Sequence, residues 1–387
     1  MNIILNSLID GGTNFNLMEL FTYLSRIPDT RDNRGKIYPL PVILTYIILA
    51  KLAGHDTPTA IHNWVKLHQT ELLSLFESRH QRVPCLNVYR TILSEVVTMD
   101  DLMKTLNQYL LEVYGGQASP LIAIDGKTMK GTIPKGETRG VHLLSAYLPE
   151  EGITLAQKEV GAKENEITVA KDLIEELSIK NRVVCADAMQ TQRELSVQIK
   201  ARGGDYIWIV KNNQSVLKQD VAQFFAPPRK APGWHTTRLP QTIAETTDLG
   251  HGRLEKRTLT LMIDQSAFLD WPHVEQVFML RREVTFLKSG HTSCEIVYGV
   301  TSCSPERVSA EQLLAWIRQY WGIENGLHYR RDVTLHEDQT RFSLPNLAKS
   351  MAAINNFVIG LVRKLGLTNL AQTRRQFAYQ ITSQLMA

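Results

Sequence analysis

Two short apolar runs in this chain each end in an aspartate: Leu121 to Asp125 and Val183 to Asp187. Four apolar residues closed by a carboxylate read as a buried strand whose last side chain reaches the rim of a sheet, where ligands approach. A carboxylate ending a buried strand costs free energy unless it has a partner or stays wet. Two of them in one stretch point to a shared cation. Magnesium takes oxygen ligands and keeps several waters, so two or three carboxylates suffice. Plain strand-end capping is the alternative for either aspartate alone.

The surrounding sequence divides into regions. Residues 1–119 read as helical and as a candidate DNA-binding domain. Pro39 to Ala50 is nearly continuous apolar sequence that Gly54 can end, and Thr57-Pro58 then offers an N-cap followed by proline. Leu86 to Val97 and Asp101 to Val113 read as further helices, as a helix-turn-helix or as a plain bundle. A linker from Gly115 to Pro120 ends this region. Residues 120–223 read as a mixed α/β core: strands at Leu121, Val141 to Leu148 and Ile153 to Val160, a helix at Ile167 to Leu177, the Val183 strand, a helix at Thr191 to Ala201, and a strand at Tyr206 to Val210. That order is compatible with an RNase H-like core. Residues 224–303, opened by Pro227-Pro228 and Pro232-Gly233, read as an all-β insertion with turns at Gly250-His-Gly252 and Ser289-Gly290. Residues 304–387 return to helix, with a capping box of Ser309 and Gln312, and complete the core.

Composition narrows the partner. The chain has 387 residues, 43% hydrophobic and 21% charged, which predicts globular folding. The net charge is +4, and after Asp338 no acid appears, while Arg341, Lys349, Arg363, Lys364, Arg374 and Arg375 do. Such a run is a candidate phosphate-binding surface or a solvated helix face. Cys85, Cys185, Cys294 and Cys303 form no CxxC pair, so no zinc site is expected and a reducing cytoplasm fits. No apolar stretch of about 18 residues exists, so no membrane span is expected.

The third feature lies at Ile317 to Val333. On an α-helix Tyr320, Glu324, His328 and Arg331 recur at i, i+4, i+8 and i+11 and share one face. A carboxylate flanked by an aromatic ring, an imidazole and a guanidinium suits a metal ligand with phosphate-contacting neighbours. Glu337, beside Asp338, is the rival glutamate. It reads as an outer group that orients Arg331 or His328.

With these residues in view, the chain resembles the bacterial insertion-sequence DDE transposases, in the branch containing the H-repeat-associated proteins. The resemblance is carried in order by Ile27 to Leu40, Ala123 to Thr128, His142 to Ala146, Lys163 to Glu166, Ala186 to Ala188, Val210 to Gln214, His251 to Arg253, Tyr320 to Asn325, Leu327-His328 and Glu337-Asp338, spanning about nine tenths of the chain. It implies an RNase H-like nuclease core with Asp125, Asp187 and Glu324 as first, second and third acidic metal ligands. It also implies two magnesium ions, replaceable by manganese, that clamp the scissile phosphate. The implied partners are element-end and target DNA, bound by a homodimer in the bacterial cytoplasm at the nucleoid. Related transposases carry a Tyr-Arg-Glu-Lys signature around the third acid. Here Tyr320 stands four residues before Glu324, and Arg331 stands seven after it where the signature has lysine. A catalytically silent DNA-binding protein and an RNase H-like nuclease without strand transfer are the competing functions.

Further candidates surround these acids. Lys127, Lys130, Lys211, Asn213, Gln214, Tyr320, His328 and Arg331 are expected DNA contacts. His142 reads as a capping or core residue, and Glu164 and Glu166 as lying near a helix start. His251 and Arg253 fall in a turn, and Trp234 and Trp271 read as core before base-stacking.

Overall fold

A computed structural model describes residues 2–5, 13–76, 81–115, 119–227, 240–264 and 268–386. Trp234, Pro228, Pro232-Gly233 and the middle of the expected linker, residues 116–118, lie outside the described residues. The chain forms two compact units. One holds Met1–Ala118, Gly126–Gly161 and Ile323–Ala387, and the other Ser119–Asp125 and Ala162–Gly322.

The first unit opens with a strand pair that the helical expectation for residues 1–119 did not include. β1 (Asn2–Leu5) and β2 (Thr13–Asn16) pair antiparallel. Asn16 then caps α1 (Leu17–Leu24), its Oδ1 accepting from the amides of Met18 and Glu19. The apolar run becomes α2 (Leu40–Leu52), buried on every side. A helix apolar all round must sit inside other helices. Gly54 ends it with φ +100, a conformation open to glycine. Thr57 caps α3 (Pro58–Leu67), accepting from Ala60, and α4 (Gln69–Leu75) follows. α5 (Leu86–Thr91) runs into a π-helical turn at Ile92–Val96, and α6 (Met99–Tyr114) is capped by Thr98.

β3 (Leu121–Thr128) belongs to both units, with the boundary after Asp125. β4 (His142–Leu148) and β5 (Ile153–Glu159) pair antiparallel in the first unit. The chain then builds the second unit from α7 (Glu166–Glu176), β6 (Val183–Ala186), α8 (Arg193–Ala201), β7 (Asp205–Val210) and α9 (Ser215–Phe224). β8 (Gln241–Gly250), β9 (Arg253–Ile263), β10 (Gln276–Phe286), β11 (Thr292–Thr301) and α10 (Ala310–Tyr320) complete it.

Within this unit the strands run β3-β6-β7-β11-β10-β9-β8. β3, β6 and β7 are parallel, and the remaining pairs are antiparallel. The strands of residues 241–301 therefore prolong the sheet that β6 and β7 begin, because β11 pairs directly with β7. The contact needs a glycine: a Cβ at Gly299 would lie 2.0 Å from Cζ of Phe278 on β10. Trp208 and Trp271 are both buried and both donate to Oγ of Ser196, at 2.9 and 3.2 Å. Trp271 is thus a core residue, as its neighbouring proline and small β surroundings predicted.

The chain returns to the first unit through π-helical turns at Glu324–His328 and Arg330–Thr334, then α11 (Pro345–Lys364) and α12 (Leu370–Met386). α11 is buried along most of its length. Asn356 of α11 donates to Gln157 of β5 at 2.8 Å, and Gln157 donates to Ser145 of β4 at 2.7 Å. In this polar chain the side-chain amides of Asn356 and Gln157 each donate to an acceptor, which is how buried amides avoid the desolvation cost.

Candidate active site

The second unit supplies the two aspartates. β3 and β6 are parallel, with Leu121 opposite Val183 and Ile124 opposite Ala186. The next residue on each strand is Asp125 and Asp187, so the two acids stand at one level on neighbouring strands. Adjacent strands lie about 4.8 Å apart, and residues at one level of a sheet point to the same face. The four residues before each acid are buried; Asp187 follows the last residue of β6, while β3 runs on past Asp125 to Thr128, so both acids stand where the parallel pairing of these two strands stops. In an open α/β sheet that is the edge where ligands bind.

A third strand end contributes a cation. β7 runs parallel to β6, with Trp208 opposite Ala186, and ends at Val210. Lys211 follows, and its Nζ lies 3.2 Å from Oδ1 of Asp187. Both side chains are about half exposed, 59% and 51%. In water such a pair contributes little and exchanges readily, so the carboxylate stays available.

Asn213 and Gln214 are placed differently from their expected role as DNA contacts. Asn213 donates to the carbonyl of Ala188 at 2.7 Å, and Gln214 to that of Thr191 at 3.0 Å. The hydroxyl of Thr191 donates to the carbonyl of Ile209. These bonds tie the turn after Asp187 to the end of β7. The side-chain amide donors are spent on the backbone and hold Asp187 in place.

In the first unit, Glu324, His328 and Arg331 do not share a face. The α-helix that should have carried Tyr320 onward stops at Tyr320, and 324–328 and 330–334 wind as π-turns with i to i+5 bonding. A wider turn advances each residue by less than 100°, so the seven-residue spacing from Glu324 to Arg331 no longer returns to one side. Glu324 is exposed, while His328 is 8% exposed and Arg331 is fully buried. Tyr320, at the end of the second unit, is also buried, at 8%. Burial thus sets His328, Arg331 and Tyr320 back from the surface at which phosphate contacts were expected of them.

Arg331 instead anchors a buried network. Its Nε lies 2.9 and 3.0 Å from the two carboxylate oxygens of Glu337, and its Nη2 lies 2.8 Å from Oε1. Asn355 of α11 donates to the same carboxylate at 2.9 Å. Glu337 thus orients Arg331, one of the two roles its position suggested. Asn355 was missed, because nothing in an apolar helix marks which amide will turn inward.

Lys127 also departs from its expected role. Its side chain is 7% exposed, and its Nζ lies 2.7 Å from Asp332, 3.3 Å from Asp338 and 4.0 Å from Glu337. A buried ammonium with three carboxylates around it is a structural cation. Lys130 differs: its amide donates to Asp338 at 2.9 Å, while its own ammonium remains 75% exposed. It is the lysine of this pair that faces solvent. Gly131 beside it lets the chain pass residue 340, since a Cβ there would sit 2.1 Å from the carbonyl oxygen of Thr340.

His328 is held neutral. Burial, with Arg331, Lys127 and His142 adding positive charge nearby, pushes its pKa down to about 3. Asp332 moves the other way, raised by burial despite the opposing pull of Lys127. Among the described residues no group of three or more His, Cys, Asp or Glu side chains is gathered to hold a metal. The structure therefore brings Asp125 and Asp187 together, and Glu324 belongs to the other unit.

The basic C-terminal run is largely committed within the first unit. Arg374 is 7% exposed and donates to the carbonyls of Lys51 and Thr334 and to Asp56. Lys349 pairs with Glu159, Lys364 with Glu151, and Arg363 with the carbonyl of Pro149. Arg341 and Arg375 remain exposed. Most of the expected phosphate-binding surface is thus internal bracing, because acids from earlier in the chain supply the counter-charges that the C-terminal stretch lacks.

What the fold and these residues define is a mixed α/β protein with two acids where its parallel strands β3 and β6 stop pairing. Comparison with known proteins gives the family. Residues 116–361 match the Transposase DDE domain, and residues 21–110 match the domain described as DDE_Tnp_1-associated. The chain belongs to the DDE transposase family, in the H-repeat-associated branch, which places it among the transposases of insertion sequences. It is 29% identical over 357 residues to the protein named "Putative transposase YncI" of Escherichia coli O157:H7, covering 90% of this chain and 88% of that one. It is 25% identical over 353 residues to "H repeat-associated putative transposase YhhI" of Escherichia coli (strain K12), covering 89% and 90%. Among solved structures, a chain of the piggyBac transposase synaptic complex with hairpin DNA aligns over 95% of this chain and 78% of that one, with a TM-score of 0.42 and 12% identity. That likeness is too slight to extend to this chain. No helix among the described residues is long and apolar enough to cross a membrane.

Proposed function

We propose that this transposase cleaves DNA at the ends of its insertion element and joins the freed 3′-hydroxyl to target DNA, with Asp125, Asp187 and Glu324 as its catalytic acids. The observation that carries this reading is the placement of Asp125 and Asp187 at one level, just beyond the last paired residues of two adjacent parallel strands. The element order of strand, strand, strand, helix, strand, helix, strand from β3 to β7 supports an RNase H-like core, with residues 224–303 as its insertion.

The residues fit a hard divalent cation. Asp125 and Asp187 offer oxygen ligands, and Asp187 is open enough to leave space for the waters that magnesium retains. Magnesium, or manganese in its place, would supply charge stabilisation at the phosphate and a more acidic attacking water. The protein's own contribution is positional. Asn213 and Gln214 fix the turn that presents Asp187, and Lys211 lowers the repulsion between two close carboxylates and an anionic backbone. Lys130 and Lys211 are the exposed cations that contact DNA phosphates. Glu324 is the third acid by resemblance to the family, and its exposure leaves its carboxylate free to ligate. The protein acts as a homodimer, since two element ends must be joined, and works at the nucleoid.

The test is an assay of purified protein with element-end DNA, a target plasmid and magnesium. Cleavage followed by joined product supports the reading. Cleavage without joining would make the protein a nuclease, and binding without cleavage would make it a silent DNA-binding protein.

A further inference from the structure

One cavity of the first unit has neither Asp125 nor Asp187 in its lining. It has a volume of about 930 Å³, and its wall is formed by the loop leading into α3, by Arg90 on α5, and by the loop from His336 to Leu344 that leads into α11. A ligand site of small-molecule size commonly has about 300–1,000 Å³, so the space is ample for one phosphate with its sugar.

Three features give this cavity a sign. Arg90 and Arg341 are exposed at its wall, and neither guanidinium has an ion pair among the described residues. The one acid in the lining, Asp56, does not offset them. Its Oδ1 is already held at 2.7 Å by both Lys51 and Arg374, two buried cations for one carboxylate. Finally, α11 is 20 residues long and begins at the cavity with no side-chain cap on its first turn. The open amides of a helix start favour negative charge. Thr57, Thr59, Thr340 and Ser343 add hydroxyls around the same space.

We propose that this cavity receives a phosphodiester of the DNA backbone, with Arg90 and Arg341 as its charged contacts and the start of α11 as a further donor. The proposal rests on the transposition reading and adds to it a second DNA-contacting surface, built from residues other than the acids. Arg90 comes from the part of the chain matched as the associated domain, and Arg341 from the part matched as the DDE domain. DNA binding at this cavity therefore draws on both matched segments.

The experiment measures affinity of the full chain for a duplex by fluorescence anisotropy across a salt series. Each true phosphate contact contributes about 0.9 to the slope of log affinity against log salt. The variant carrying Arg90→Gln and Arg341→Gln should have a slope shallower by about 1.8, while Lys104→Gln, an exposed charge on α6, should leave it nearly unchanged. Restoring charge with lysine at both positions should recover most of the slope. An unchanged slope in the double variant overturns the proposal, and so does an equal change in the Lys104 control, which would mean diffuse charge rather than a site. Inorganic phosphate provides the second arm. If it raises the melting temperature of the wild type and not of the double variant, while the DNA slopes agree, the cavity takes a free anion and the DNA assignment fails. Failure of the wild type to bind any duplex would overturn the transposition reading together with this one. Asp187→Asn, which should bind with the wild-type slope yet not cut, separates the two.

Discussion

Asp187 and Glu337 are both carboxylates beside a cation, and they are built for opposite purposes. Asp187 is half exposed, with one lysine at 3.2 Å. Glu337 is buried, with Arg331 gripping both its oxygens, Asn355 donating to it and Lys127 4.0 Å away. An exposed pair contributes about 0–1 kcal/mol, whereas removing one partner of a buried pair costs about 3–5 kcal/mol. The first carboxylate is free to take a new partner, and the second is already committed. The acid proposed to carry chemistry and the acid that holds the fold thus separate by hydration, even where the family motifs contain both.

The largest effect that could break this contrast is on cleavage. Asp187→Asn or Asp125→Asn should reduce DNA cleavage by several orders of magnitude, with the melting temperature and DNA affinity nearly unchanged. Glu324→Gln should do the same for hydrolysis and for strand transfer, even with manganese. Single-turnover cleavage on uncut and pre-cut element ends measures both steps. Retained cleavage in any of the three would remove that residue from the catalytic set.

Glu337→Gln should show the reverse. It leaves Arg331 buried without its counter-charge and should lower unfolding free energy by about 3–5 kcal/mol, read from urea titration. The protein that remains folded should cleave more slowly by about 10–100-fold, as changes to orienting groups typically do. A stable Glu337→Gln variant with no cleavage would instead place Glu337 among the acids.

A smaller effect concerns pH. His328 has its pKa lowered to about 3 when folded, against about 6.5 in an unfolded chain. The unfolded state therefore takes up a proton that the folded state refuses, and stability falls as pH drops below about 6.5. The slope from this one group is about 1.4 kcal/mol per pH unit. Replacing His328 with Phe should flatten the dependence between pH 6.5 and 5, and an unchanged slope would mean the imidazole is not buried in solution.

The smallest effect sorts the C-terminal arginines. Arg375→Gln should make the salt slope of DNA binding shallower by about 0.9 if it touches a phosphate. Arg374→Gln should leave the slope alone and lower stability, because Arg374 serves Lys51, Asp56 and Thr334.

Much of the fold was legible. The apolar run at α2, the cap at Thr57, the strands before Asp125 and Asp187 and the box at Ser309 all follow local rules, and local rules can be read along a line of residues. β8 was not singled out within the strand-only region, because Gln241 to Gly250 is mostly polar and exposed at the sheet edge, with Ala244 its buried residue. The site was legible where it depends on strand ends and illegible where it depends on partners distant in sequence. Lys127 looks like a DNA contact until Asp332 and Asp338 arrive from more than two hundred residues later. The single face expected for Glu324, His328 and Arg331 failed for a different reason: the helical period itself changes there.

That change of period makes the chain sensitive to its length between Glu324 and Thr334. Each π-turn accommodates one residue more than an α-turn would. Losing one residue would let a π-turn relax to α-helical winding with the chain beyond it still in phase, but gaining one, with the turns already widened, would rotate everything beyond it by about 100° against Glu324. Arg331 would leave Glu337, and the burial of His328 would be lost, without any side chain having been replaced. This stretch should therefore accept conservative exchanges at Asn325 or Tyr329, both exposed, far more readily than the gain of a residue.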